Sequence, residues 1–441
     1  MAWLLKNLLF FKMASSDVLL FLLYFGQGLP YGFQVKLLPL FLRKHKFSLS
    51  KVGLSRLLSL PWIFKFTVAP LIDKLWSLNS WITLGSLIMA VICFASAWVG
   101  EHNTLLVLFW MLWMNITSAV QDVAVDAYAI CLLEPADLGK ASTLQVVGYK
   151  VGTLFGGGIL SWLSVYYTWK WLFTLWGSFY IVMLIISVIN INSETRSTYE
   201  IAKGVSLKNQ EIKGNQLRSS MSVSNDNTSG KLSPLKIIRT TIRTVDFSWL
   251  MFYVATYKLG EQGVVSMLPL YLIDQRIPQE QVGVIFGIFG QLFSISGSTI
   301  GGWIVSLQYG HRSWVIKVLL WTSYARLVPL LSLWLLSLTQ FTKSAIAIIE
   351  CFIQLSGGII TTATFTLMML SSQNSLPGAK ATHCAVLATS EVLGKLLMIS
   401  LSGILVDIIG YQYFFGLCFL LALSFLPVLK HGLVSPREKS S

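Results

Sequence analysis

Between residues 17 and 429 the chain is a succession of apolar stretches, most of them 20–30 residues long, divided by short polar turns. A hydrocarbon core of about 30 Å is crossed by roughly 20 apolar residues in a helix that rises 1.5 Å per residue. Hydropathy and turn residues place twelve such helices, at 17–41, 51–72, 80–99, 104–130, 140–164, 170–190, 246–272, 281–306, 314–338, 344–370, 381–407 and 411–429. Composition agrees: 54% of residues are hydrophobic and 12% charged, against about 25% charged in soluble domains. A soluble protein with one anchor is excluded. The expectation is an all-α membrane protein of twelve transmembrane helices, arranged as two six-helix halves.

Residues 191–243 break the pattern, being polar and rich in Ser, Asn, Thr and Lys. They read as a flexible linker. The organisation expected is an N-terminal half at 1–190, a cytoplasmic linker at 191–245, a C-terminal half at 246–430 and a cytoplasmic tail at 431–441. The two halves echo each other. Leu38-Pro39-Leu40-Phe41-Leu42 precedes Val52-Gly53, and Leu268-Pro269-Leu270-Tyr271-Leu272 precedes Val282-Gly283 at one constant offset. Gly158-Ile159-Leu160 is likewise echoed by Gly403-Ile404-Leu405. Paired halves mark a repeat-built transporter with its site at their interface.

The net charge of +14 lies largely in connecting segments, which fits loops facing anionic lipid and gives no basic domain for nucleic acid. With the N-terminus inside, Lys6, Lys12, Lys74, Lys140, the basic linker, Arg312, Lys380, Lys430, Arg437 and Lys439 fall on the inner side. The outer side holds fewer basic residues, though Arg43, Lys44, Lys46 and Lys51 run against the trend. Both termini are therefore expected in the cytoplasm, and the sequon Asn227-Thr228-Ser229 reads as chance. The N-terminus reads as a tail entering a first span, not as a cleaved signal. Five scattered cysteines without a CxxC pair suggest neither a disulfide framework nor a zinc site. P-loop, HExxH and GxSxG patterns are absent, so ATP-driven pumping and enzyme chemistry find no support. No cofactor or metal is expected.

Charges inside the spans are the candidates for function. Asp122 and Asp126, four residues apart in the fourth span, share one helical face about 40° apart. A carboxylate at bilayer depth costs about 2.5–3.5 kcal/mol. Two such groups either line a solute or proton pathway or pin helix ends. Lys258, Glu261 and Gln262 make one polar face of the seventh span, and Glu391 and Lys395 pair at i, i+4 in the eleventh. Each pair either neutralises itself structurally or lines a cavity. Gln27, Tyr31 and Gln34 fall within about 60° on the first helix, beside Gly26, Gly28 and Pro30. Lys65, Lys150 and Arg326 are further buried cations, and the glycines around Gly152 admit a close helix neighbour. Together these suggest a cavity for a large polar, anionic small molecule, with Gln27, Tyr31, Gln34, Lys65, Lys150, Lys258, Glu261, Gln262, Glu391 and Lys395 contacting substrate. Asp73, Asp122 and Asp126 would gate or carry protons.

Gln121-Asp122-Val123-Ala124-Val125-Asp126-Ala127-Tyr128, with Phe64-Lys65-Phe66 and Ala69-Pro70-Leu71-Ile72-Asp73-Lys74, resembles one branch of the major facilitator superfamily. That branch holds bacterial muropeptide permeases and eukaryotic acetyl-coenzyme A transporters. The stretches Gln27–Gly32, Leu132–Gly139, Gln145–Val147 and Tyr257–Gly263 are similar to a vertebrate subfamily of it. Ala69 stands where the superfamily usually has Gly, and the downstream arginine-rich part is absent, while Asp73 and Lys74 match. The resemblance implies a multi-pass transporter working by alternating access, with a monomeric functional unit in the lipid bilayer. It makes Asp73 the candidate for a cytoplasmic latch. Acetyl-coenzyme A is the leading substrate class. The alternatives are a proton-coupled permease for a glycopeptide or other organic anion, or a non-transporting scaffold or sensor. Plasma membrane and endomembrane both stay open.

Overall fold

The computed structural model describes residues 2–44, 55–99, 103–132, 137–189, 245–278, 281–282, 284–308, 311–339, 343–375 and 380–434. The expected linker lies outside them, apart from its last residue. Among the described residues the regular structure is all helix. Helix α1 runs Ala2–Gly32, widens into a π turn at Phe33–Leu37 and ends as Leu38–Lys44. Helix α2 is a 3-10 turn Ser55–Ser59 leading into Leu60–Lys74. Helices α3 (Leu78–Val99), α4 (Thr104–Leu132) and α6 (Trp169–Ile189) are unbroken. Helix α5 is Leu138–Leu154, a π turn Phe155–Ile159 and Leu160–Tyr166. Helix α7 comes in two pieces, Val245–Thr256 and Leu259–Asp274. Helix α8 joins a π turn Val284–Phe289 to Gly290–Ser306. Helices α9 (Arg312–Ser337) and α10 (Lys343–Gln373) follow.

The run Lys380–Ser424 is helical throughout except at Gly410, with φ 77° and ψ 162°. A straight helix of that length would overshoot a bilayer twice over. Gly410 turns the chain there because a residue without Cβ takes positive φ at little cost. The run is thus α11 before Gly410 and α12 after it, and α12 continues past Phe425 as Leu426–Val434.

Among the described residues seven stretches are long and apolar enough to cross a membrane by length and composition. They lie in α1, α3, α4, α6, α9, α10 and the joined α11–α12. Of the others, helix α2 has 15 residues in its α part, α5 and α8 contain π turns, and α7 is broken at Tyr257–Lys258.

Three apolar cores order the bundle. One is shared by both sets of helices, drawing Leu20, Ala124 and Leu138 from α1–α6 and Tyr253, Leu319, Leu367 and Leu387 from α7–α12. The other two are separate. One holds Phe33, Phe41, Met89, Met111 and Trp176 of α1–α6 alone, and the other Leu268, Leu333, Ile353 and Phe414 of α7–α12 alone. The sets therefore share a core at one end, here called the closed end, and keep separate cores toward the other, here called the open end.

Local chemistry accommodates Pro30 within α1. Pro30 has no N–H to give the carbonyl of Gly26. The Tyr180 hydroxyl donates to that carbonyl instead, at 2.7 Å. Beyond it α1 and α5 interlock through glycine. Gly28 lies against the backbone of Tyr149 and Thr153, and Gly152 against the carbonyl of Phe25. A Cβ on Gly152 would strike backbone that cannot swing aside. Gly152→Ala should cost about 1–3 kcal/mol by overpacking, read as a lower thermal unfolding midpoint of the purified protein. Gly403→Ala is the control, since nothing lies within 4 Å of a Cβ there. Equal midpoints for both variants would refute the interlock.

Candidate functional site

In the N-terminal set a buried polar group joins α1, α2, α4 and α5. Lys65 of α2 donates to Oδ2 of Asp122 on α4 at 2.5 Å. Oδ1 of Asp126, one turn on, accepts from the Tyr24 hydroxyl of α1 at 2.9 Å and from Nε2 of Gln145 on α5 at 2.8 Å. Cys384 Sγ of α11 lies 3.9 Å from the other oxygen. The aspartates share a helical face as the spacing predicts, yet differ in partner: Asp122 has a cation, Asp126 neutral donors.

In the C-terminal set the group gathers around the break in α7. Nη1 of Arg326 on α9 donates to Oε2 of Glu261 at 2.8 Å, and Nη2 to the Tyr257 carbonyl at 3.1 Å. The second bond satisfies a carbonyl that the break has left free. Oε1 of Glu391 on α11 accepts from the Tyr257 hydroxyl at 2.9 Å and from Lys395 at 2.8 Å, with Lys258 at 3.8 Å. So Glu391 and Lys395 do pair at i, i+4. The single polar face expected of Lys258, Glu261 and Gln262 does not form. Lys258 caps the second piece of α7 instead of lying within one helix, so its charge turns to Glu391, while Gln262 is half-buried.

Lys150 of α5 reaches across to α8. Its Nζ donates to Oγ of Ser294 at 2.7 Å, to Oγ of Ser298 at 2.8 Å and to the Ser294 carbonyl at 3.0 Å. All three acceptors are neutral, and no carboxylate lies within ion-pair distance among the described residues. Lys258, Glu261 and Lys395 are within electrostatic reach.

The three residues expected on one face of α1 separate. Gln27 is buried, with neither amide atom hydrogen-bonded among the described residues. Tyr31 is partly exposed, its ring 5.6 Å from that of Tyr149. Gln34 is consumed elsewhere: it donates to Ser59 Oγ at 2.9 Å and accepts from Asn115 Nδ2 at 2.9 Å. The π turn that begins at Phe33 is wider than an α turn and takes Gln34 out of the register of Gln27 and Tyr31.

The closed end is tied by Asp73 at the last turn of α2. Its carboxylate accepts from the backbone N–H of Ala381 at 3.0 Å and of Thr382 at 2.8 Å, and from the Thr382 hydroxyl at 2.6 Å. These N–H groups open α11 and have no partner within their own helix, and a carboxylate at a helix N-terminus is further favoured by the dipole. Ser142 with Thr366 at 2.6 Å, and Gln373 with the Ile130 carbonyl at 3.3 Å, tie the two sets at the same end.

Tyr24, Tyr257, Ser294, Ser298, Asn115 and Glu350 escaped the sequence reading. The hydroxyl groups and Asn115 carry no periodic signal. Glu350 did carry one: it is a lone carboxylate in an apolar stretch, like Asp122.

With this geometry in place, comparison with known proteins identifies the fold. The family model of the Major Facilitator Superfamily matches residues 20–383, and the chain belongs to that superfamily. Anhydromuropeptide permease of Escherichia coli strain K12 is 24% identical over 422 residues, covering 92% of this chain and 77% of that protein. Among solved structures, the proton:xylose symporter XylE superposes with a TM-score of 0.69 at 11% identity, over 95% of this chain and 96% of the other. A bacterial homologue of the iron transporter ferroportin in its outward-facing state gives a TM-score of 0.66 at 15% identity, over 95% and 98%. The chain is therefore a multi-pass membrane transporter of that superfamily, with a small-molecule substrate, and the relatives named above are transporters rather than enzymes.

Proposed function

We propose that this transporter carries an organic anion of the glycopeptide class by alternating access between two six-helix halves, 1–190 and 246–430. The observation that carries the reading is Lys150. It is a cation at the seam between α5 and α8, held only by two hydroxyls and a carbonyl. A charge so placed is incompletely compensated, and an anionic group arriving from the open end supplies what it lacks. Lys258 and Lys395, nearby on the C-terminal set, add to the attraction. Tyr31, Gln27 and Gln262 line the approach. Lys65, Glu261 and Glu391, each in an ion pair, shape the walls.

In this reading α2, α5, α7 and α8 also cross the bilayer, completing twelve spans. Their interruptions are tolerated where a helix faces protein rather than lipid. The lysine and arginine distribution supports a reading in which both termini and the closed end are cytoplasmic and the open end faces outward. The activity named for the Escherichia coli relative moves the leading substrate from acetyl-coenzyme A to a glycopeptide.

Uptake by proteoliposomes of a labelled anhydromuropeptide, with acetyl-coenzyme A as the rival, tests the substrate. Lys150→Gln keeps much of the hydrogen bonding and removes the charge. It should lower anion uptake by roughly tenfold to a hundredfold, corresponding to about 1.5–3 kcal/mol for a charged hydrogen bond. Full uptake by a correctly inserted Lys150→Gln protein would remove the anion site. Saturable uptake of acetyl-coenzyme A alone would return the substrate to the first expectation.

A further inference from the structure

Glu350 has less compensation than the other buried carboxylates described above, which each hold an ion pair or at least two hydrogen bonds. It lies in the second turn of α10 and is fully buried. Its Oε1 accepts a 2.7 Å hydrogen bond from Nε2 of Gln354, one turn along the same helix. Its Oε2 has no hydrogen-bond partner among the described residues. No cation stands within ion-pair distance of either oxygen among them. Ile346, Ile349 and Ile353, on the same stretch of α10, belong to the apolar core of the C-terminal set. An ionised carboxylate in such a place costs several kcal/mol, and the group sheds that cost by holding a proton.

The neighbouring helices do not change this. Helix α8 packs along α10, with Gly297 against Leu355 and Gly301 against Ile359, and it has no ionisable side chain from Val284 to Ser306. On α7, Glu261 lies within electrostatic reach of Glu350, but its own charge is matched by Arg326 of α9. On α11, Glu391 is matched by Lys395. Helix α10 itself adds only the Cys351 thiol beside Glu350 and Lys343 at its start. One donor remains unused: Nε of Arg326 is buried without an acceptor among the described residues.

We propose that Glu350 is a proton-binding site of this transporter, carrying its proton while one end of the bundle is open and releasing it when the bundle changes state. The inference rests on the transport reading and adds a driving ion to it. The carboxyl O–H bond breaks, the electron pair stays on the carboxylate, and the proton leaves to water on the side then exposed. The Gln354 amide, already bonded to Oε1, stays as a donor to the carboxylate left behind. This places proton binding on the C-terminal set. The sequence offers Asp73, Asp122 and Asp126 for gating or proton coupling, with helix pinning as the alternative for the Asp122–Asp126 pair, and Asp122 already holds Lys65.

Two measurements on the full-length protein decide the matter. The first needs no substrate. Infrared difference spectra of purified wild type against Glu350→Gln at neutral pH should contain a protonated-carboxyl C=O stretch from the wild type alone. Glu350→Asp should retain a shifted band, which guards against a variant that merely fails to fold. Absence of that band from the wild type overturns the proposal. The second is transport: Glu350→Gln should lose pH-gradient-driven uptake by roughly tenfold, the scale of a coupling between two sites. It should keep substrate exchange at equal pH within about twofold, a difference too small to count as lost coupling. Uptake by Glu350→Gln with the wild-type pH profile, or wild-type uptake driven by sodium and indifferent to protons, also overturns it. A carboxyl band with no transport of any anion would instead sink the substrate reading and leave the proton site standing.

Discussion

Arg326→Leu should destabilise the purified protein by about 3–5 kcal/mol, the cost of leaving a buried carboxylate without its cation. Arg326 holds Glu261 and the Tyr257 carbonyl at once, so its loss also leaves the break in α7 with an unpaired acceptor. The double variant Arg326→Leu/Glu261→Gln should recover much of that loss, because it removes the stranded charge along with the cation. Arg326→Lys should recover little, since a single nitrogen lacks the planar fork that reaches Glu261 through Nη1 and the Tyr257 carbonyl through Nη2. Thermal midpoints in detergent, followed by tryptophan fluorescence, report all three. A double variant as unstable as the single one would mean that Glu261 is not the stranded partner.

The second large effect concerns conformation. Asp73 gives one carboxylate to three donors at the start of α11, and hydrogen bonds to a charged group contribute about 1.5–3 kcal/mol each. A net loss of about 3 kcal/mol shifts a two-state equilibrium roughly a hundredfold. Asp73→Ala should therefore release the closed end. Spin labels at Trp76→Cys and Asn374→Cys should show a longer distance gaining population. If stability falls while the distance distribution stays put, Asp73 is only a helix cap and the latch reading fails.

Helix positions were legible because apolar length and turn residues are local properties. The aspartate pair was legible because a charge in an apolar stretch is costly wherever it lies. Pairing was not. Glu261 meets Arg326 across 65 residues and Glu391 meets Tyr257 across 134, and such partners are set by how helices stack. The break at Tyr257–Lys258 is not marked by a proline there, yet it redirects Lys258 away from Glu261. Gln34 shows the same limit on a smaller scale, since one widened turn moved it from cavity face to a tie with Asn115. Glu350 obeyed the rule that picked out Asp122 and was simply passed over.

The turn at Gly410 has a mechanical consequence. Helices α11 and α12 are joined by a single residue of left-handed backbone, not by a loop with slack. An L side chain at φ 77° and ψ 162° would cost on the order of 1–3 kcal/mol, so the joint is narrow in what it accepts as well as short. Any tilt or roll of α11 has to be transmitted to α12 as torque. Tyr411, the first residue past the joint, is bolted to Asp274 of α7 by a 2.7 Å hydrogen bond. Load placed on the α11 tip at Ala381 and Thr382 therefore has a route to α7 at its far end, through the one-residue joint and this hydrogen bond.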